Sequence, residues 1–249
     1  MVAMAITLVV LSVALTAFMT LSTAAVDNLL SARLNHQVRS AMGLMVRELQ
    51  RSGYLNWRAA WSLEDVDGDG KRDIRDFYLA LTPRWRDMSA LTISEDGSCI
   101  LYSYDIDGNG SKGTGDFEHF GFRLDNGAIQ MKTAGEHACA ASGWQAITDH
   151  TVVVTGLSFE LDVYQDTTGF GALYSLGGDG KTSGPVGICE PSSVGTGILP
   201  APEDTLCLER RSVRILITAR SAADPTMTMT LENRVKLKND FLNAFRMAE

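Results

Sequence analysis

The first 26 residues, MVAMAITLVVLSVALTAFMTLSTAAV, carry no charged side chain, and the first charge along the chain is Asp27. As a helix this stretch is roughly 39 Å long, enough to cross a hydrocarbon core of ~30 Å. From Val26 the pattern changes with no intervening proline or turn cluster. Val26, Leu30, Leu34, Val38, Met42, Met45 and Leu49 recur at steps of three or four, while Arg33, Arg39, Arg47, Glu48 and Arg51 fall largely off that stripe. Ser52-Gly53 offers a stop, with glycine in the left-handed cap position. The spacing predicts one continuous helix to about residue 52, roughly 75 Å long. Its first part, 1–26, is apolar all round, and its second part, 27–53, is one-sided.

Beyond the helix the period falls from 3.6 to two. CILYSY at 99–104 alternates, and FEHFGFRL at 117–124 is joined to AIQM through Asp125-Asn126-Gly127, where Asn-Gly is a hairpin signal. Leu157, Phe159, Leu161 and Val163 alternate with Ser158, Glu160, Asp162 and Tyr164. SVRILITA and TMTMTLENRVKLK follow, separated by a turn at Asp224-Pro225. These segments predict an antiparallel sheet with one buried face, so residues 54–249 read as a single β-rich head and the fold class as α+β. Trp57 and Trp61 read as aromatics packed beneath the helix. Residues 165–206 hold four of the six prolines and few periodic positions, the composition of a long surface excursion.

Charge narrows the partners. With 22 Lys+Arg against 30 Asp+Glu the net charge is −8, and arginine is concentrated in the helix, so the head is more acidic still. Nucleic-acid binding is disfavoured, because phosphate contacts need a basic face. Cys99, Cys139, Cys189 and Cys207 form an even set without C-x-x-C spacing. In a membrane-tethered head they read as two disulfides in an oxidising compartment. Three pairings are possible; Cys99 with Cys139 and Cys189 with Cys207 is favoured, since each closes a loop within one region. A zinc site joining cysteines to His119 or His137 lacks ligand spacing.

The sharpest chemistry lies in DVDGDGKRDIRD, residues 65–76. Calcium takes six to eight hard oxygens, and an EF-type loop supplies them from positions 1, 3, 5, 7, 9 and 12 with glycine at 6. Those positions here are Asp65, Asp67, Asp69, the Lys71 carbonyl, Asp73 and Asp76, with Gly70 in the turn and aspartate rather than glutamate at position 12. FYLALT follows and reads as a strand, which makes this an isolated structural Ca2+ loop rather than one half of an EF-hand pair. DIDGNGSKGTGD, residues 105–116, repeats the opening with Asp105, Asp107, Asn109 and Gly110, departs at Gly113, and ends on Asp116. It is the weaker second calcium candidate, against a plain solvated turn.

Enzyme motifs are missing. LGGDGKT at 176–182 contains Gly-Lys-Thr, but Ser175 stands where a phosphate loop needs glycine, and Ser183-Gly184-Pro185 follows where it needs a helix. No G-x-S-x-G or H-E-x-x-H occurs. The expectation is a protein that is not an enzyme.

MVAMAI at the start resembles the opening of type IV prepilins, entered partway. RLNHQVRSAMGLMVRELQRSGY at 33–54, CILYSYDIDGNG at 99–110, FEHFGFRLDNGAIQMK at 117–132, WQAITDHTVVVTGLSFEL at 144–161 and SVRILITARS with ENRVKLKND near the end resemble the PilW-like minor pilins. The resemblance implies a ladle-shaped pilin fold, a long N-terminal helix packed on an antiparallel head. It also implies a minor-pilin role in pilus assembly or initiation, with incorporation into the filament. The implied partners are other minor pilins, the major pilin, inner-membrane lipid before assembly, and a prepilin peptidase acting upstream of Met1. The family's basic leader and its glutamate would likewise fall before Met1. The head would stand in the periplasm on a single inner-membrane span and later on a surface pilus. Arg33 and Arg39 follow the span with nothing basic before it, so the positive-inside rule alone points the head to the cytoplasm instead.

Other readings of the N-terminus explain less. A cleaved signal peptide would have a basic residue ahead of a shorter apolar core, although LSTAA offers small residues for cleavage. A plain anchor accounts for the span and not for the helix continuing from it. A type II secretion pseudopilin is the nearest rival. A tethered adhesive or carbohydrate-binding head, using Trp85 or the 165–206 loop, is the rival from another class.

Overall fold

The computed structural model describes residues 2–56, 70, 88–110, 118–133, 135–164, 172–173, 175–176, 182–183, 206–239 and 241–243. One helix, α1, runs Val2–Leu49. Its side chains are exposed from Val10 to Leu29 and then divide by face. Leu34, Val38, Ala41, Met42, Met45 and Leu49 are buried, Leu30 is half-buried and Val26 stays exposed. The stripe therefore engages the head about two turns later than its sequence pattern begins.

The helix also ends three residues before the expected stop. Gln50 N donates to the Val46 carbonyl, and Arg51 N and Ser52 N then reach only three residues back. Gly53 does take the left-handed conformation, with φ 76°. Its N–H goes across to the Ser103 carbonyl at 2.8 Å instead of back to the helix, so the sheet tightens and terminates the last turn. A Cβ here would lie 3.1 Å from that of Ser89.

Among the described residues the head contains two five-stranded antiparallel sheets and a two-stranded hairpin, where the strand pattern suggested one sheet. The first is a meander of β1 (Leu91–Ile93), β2 (Cys99–Ser103), β3 (His119–Asp125), β4 (Ala128–Lys132) and β5 (Trp144–Ala146), in that order. The Asn126-Gly127 turn between β3 and β4 has φ 49° and 73°, the two left-handed residues of a tight hairpin. The second sheet comprises β6 (Val152–Tyr164), β7 (Ala172–Leu173), β10 (Leu206–Ser221), β11 (Thr228–Lys236) and β12 (Phe241–Asn243). Here β10 is central: its first residues pair with β7 and β12, and the rest runs between β6 and β11. A small hairpin, β8 (Ser175–Leu176) with β9 (Thr182–Ser183), stands apart.

The two sheets meet at the free edge of β6. Phe159 N donates to the Gly97 carbonyl and Val154 N to the Gly127 carbonyl, each at 2.8 Å. Two turn tips of the first sheet thus satisfy edge groups of the second.

One core joins all three layers. The buried stripe of α1 shares it with Val213, Ile215 and Ile217 of β10 and with Val235 of β11. From the first sheet come Ile100, Tyr102, Phe120, Phe122 and Ile129. The opposite face of that sheet, expected to be wet, is covered as well, and β2 is buried along its whole length. Residues 135–143 fold over it, held by the Cys99–Cys139 disulfide. Arg123 donates to the Cys139 carbonyl at 2.6 Å and Lys132 to the Ser142 carbonyl at 2.7 Å. Both cations also lie over the Trp144 ring, at 4.6 and 5.2 Å from its centre, which offsets the cost of covering them.

Candidate functional site

The second acidic loop begins where β2 runs out. Asp105 N donates to the Tyr54 carbonyl at 2.8 Å, joining the loop to the segment leaving the helix. The Asp105 carboxylate is buried, 3% exposed. One oxygen accepts from Asn109 N at 3.1 Å, and the other accepts from Gly110 N at 3.0 Å and Asn56 N at 2.9 Å. Asn56 also donates its side-chain amide to the Gly108 carbonyl at 2.8 Å. Glycines at 108 and 110, with φ 72° and 76°, let the chain close this tightly.

Three carboxylates converge there. Asp105, Asp107 and the buried Glu118 each place an oxygen within 4.8 Å of the others. Two oxygens on opposite sides of a calcium ion, each at 2.3–2.6 Å, are roughly 5 Å apart, so this set fits within one coordination sphere. The donors are all hard oxygens, which suits calcium or magnesium and not a thiophilic metal.

The spacing argument therefore meets the structure unevenly. Asp105 and Asp107 come together as expected. Asn109 donates its side-chain amide to one Asp107 oxygen at 2.7 Å and its backbone N–H to the other at 3.0 Å. Asp116 lies outside the described residues, and Glu118, two positions beyond the motif, joins the cluster. No EF-type position corresponds to Glu118; it arrives because β3 starts at His119 and returns beside β2.

Of the first acidic loop only Gly70 is described, and its φ of 80° is the left-handed turn glycine that the pattern requires. Asp65, Asp67, Asp69, Lys71, Asp73 and Asp76 lie outside the described residues, as do FYLALT, Trp57, Trp61 and Trp85. Cys189 lies outside them too, so Cys189–Cys207 stays an expectation, while Cys99–Cys139 is present. That bridge removes two thiols from any zinc site, and His119 stacks on His137 with ring centres 4.6 Å apart. Thr182 begins β9 and not a helix, the wrong element to follow a phosphate loop.

Two further features border these positions. Tyr104 donates its hydroxyl to the Glu48 carboxylate at 3.1 Å and stacks on Phe120 with ring centres 4.2 Å apart. Burial, and then the adjacent Glu48, push its phenol up to about 12. A cleft of about 310 Å³ beside the disulfide is lined by Asp96, Cys99, Arg123, Asp125 and Cys139. The Ser94 hydroxyl and the Ser98 backbone and hydroxyl hold the Asp96 carboxyl at about 2. Arg123 is engaged by Asp125 at 3.4 Å and by Gln130, so the cleft's charges are already answered from within.

A family model described as prepilin peptidase-dependent protein B matches residues 27–237. The chain belongs to the prepilin peptidase-dependent protein B family. The match opens at the first charged residue after the apolar stretch and closes at the buried Leu237. Family membership thus covers the packed half of α1, the first sheet and all of the second except β12, and it makes this a pilin-associated chain. No match to a curated protein or to a solved structure was found.

Proposed function

We propose that the chain is a PilW-like minor pilin that acts in assembly or initiation of a type IV pilus and enters the filament. The observation that carries this reading is the division of α1. One unbroken helix leaves its side chains exposed from Val10 to Leu29 and buries one stripe of its second half against the head. The apolar segment is long enough to cross a membrane, and extraction becomes tolerable when neighbouring spans replace lipid, since both are similarly apolar. Inner-membrane lipid, the other minor pilins, the major pilin and prepilin peptidase are the partners this role requires, with the head in the periplasm. No catalytic step is assigned to it.

Calcium is proposed as a structural ion. The 65–76 loop rests on a ligand spacing that departs from the EF-type pattern only in Asp76 at position 12, and the 105–118 joint on the convergence of Asp105, Asp107 and Glu118. Both would saturate at the millimolar calcium outside cells.

Deleting the gene in the native host should abolish surface pili, and a tagged copy should restore them and label the filament. Normal piliation together with failed export of folded exoproteins would overturn the pilus reading in favour of a secretion pseudopilin.

A further inference from the structure

The face of α1 opposite the buried stripe carries charge that no ion pair answers among the described residues. Arg33, His36, Arg39 and Arg47 are all exposed there. At 100° per residue they centre roughly half a turn from Leu34, Val38, Met42 and Met45. Arg51, Arg214 and Arg234 each sit within 3.5 Å of a carboxylate. Among the described residues, no ion pair engages Arg33, Arg39 or Arg47. Gly43, between them, has nothing within 4 Å of where a Cβ would stand, so a partner can approach the helix closely.

Charge and height select the occupant. Residues 1–56 contain four arginines, no lysine and two acids, so with the whole chain at −8, residues 57–249 stand at −10. Glu95 and Glu136 of the head are exposed, and among the described residues neither has an ion pair. The arginines span roughly 21 Å of helix axis, the same stretch from 33 to 49 on which the head packs. Two copies anchored in parallel in one membrane therefore hold the head of one level with the arginine row of the other. Lipid phosphates lie beside Arg33 alone, because Arg47 stands roughly 30 Å beyond Asp27. We propose that this face docks the acidic head of a second copy of the chain. The proposal rests on the membrane-anchored reading and not on the pilus itself.

The test uses the full chain, tagged at its C-terminus with donor or acceptor fluorophore and reconstituted in phosphatidylcholine vesicles. Energy transfer between copies should fall as salt rises. The triple variant Arg33→Glu, Arg39→Glu, Arg47→Glu should weaken association at least about tenfold and invert that salt dependence, since three exposed ion pairs become three like-charge contacts. Replacing the same arginines by lysine should retain most of it, and circular dichroism should show all variants folded. Mixing the triple variant with a copy carrying Glu95→Lys and Glu136→Lys should restore transfer. Wild-type association by the triple variant, absence of association at any salt, or a loss seen only when phosphatidylglycerol is added would each overturn the proposal. The last outcome would assign the row to anionic lipid. Pilus counts would be unaffected by that result, so the two readings fail separately.

Discussion

Gly121 shows how one missing side chain lets a sheet be buried on both faces. A Cβ there would meet the Ile100 carbonyl at 2.7 Å, the Leu101 side chain at 2.8 Å and the Trp144 ring at 3.1 Å. Two of those contacts are with main chain or a packed ring and have little room to yield. Gly121→Ala should therefore cost about 1–3 kcal/mol, read as a lower denaturation midpoint with unchanged slope. Tyr104 supplies a pH dependence. Its folded phenol titrates about 12 against an ordinary value of 10.0, so the folded state favours the neutral ring. That contribution is complete below pH 10 and disappears as pH rises towards 12. Alkaline unfolding should accordingly begin in that window, and Tyr104→Phe should flatten the decline there while losing about 1 kcal/mol at neutral pH with the Glu48 hydrogen bond. The Cys99–Cys139 bridge closes a separation of 40 residues. Replacing both cysteines by alanine should cost about 3–4 kcal/mol on a chain-entropy basis, checked by chemical denaturation.

Elements with a sustained period were the legible ones. The stripe from Leu34 to Leu49 is buried as its spacing requires, and Met45→Ala should cost about 2–5 kcal/mol of head stability. What escaped the pattern has identifiable causes. In β6, Val152 and Val154 are buried, then Leu157 and Phe159, so the inward parity switches from even to odd. The switch is a bulge: Thr218 faces Gly156, but Ala219 faces Val154, leaving Thr155 as the extra residue. VVVTGLS therefore reads as a run without alternation, and the strand was visible only from Leu157 onward. β1, β5 and β12 have three residues each, too few for a period to show. The two-sheet arrangement was equally illegible, because the bonds uniting the sheets come from turn carbonyls at Gly97 and Gly127 that no side-chain pattern encodes. Glu118 was missed for a related reason, since it reaches the acidic cluster through the pairing of β2 with β3 and not through loop spacing.

For the whole molecule, the acidic joint ties the helix exit to the first sheet through Tyr54, Asn56 and Asp105. Bound calcium should therefore stiffen the seat of the head. A chelator should lower the melting temperature of the purified chain by roughly 3–6 °C if calcium stands at about ten times its Kd. Asp67→Ala with Asp69→Ala should remove most of that difference, and Asp105→Asn with Asp107→Asn the remainder. A melt indifferent to chelator would remove the ion from both loops.

The central position of β10 also sets a schedule for biosynthesis. The greasy stripe of α1 emerges first, yet the strands that seat it begin 157 residues after Leu49, at Leu206. At ordinary ribosome speeds of about 5–20 residues per second the stripe waits on the order of ten seconds or more. Ribosome-bound chains stopped short of residue 206 should remain sensitive to protease around Val38 and Met45 and should recruit holding chaperones, whereas release of the completed chain should end both. The N-terminal rod is thus made early and closed late, a vulnerable interval that a membrane-inserted first half would shorten only for the residues it hides.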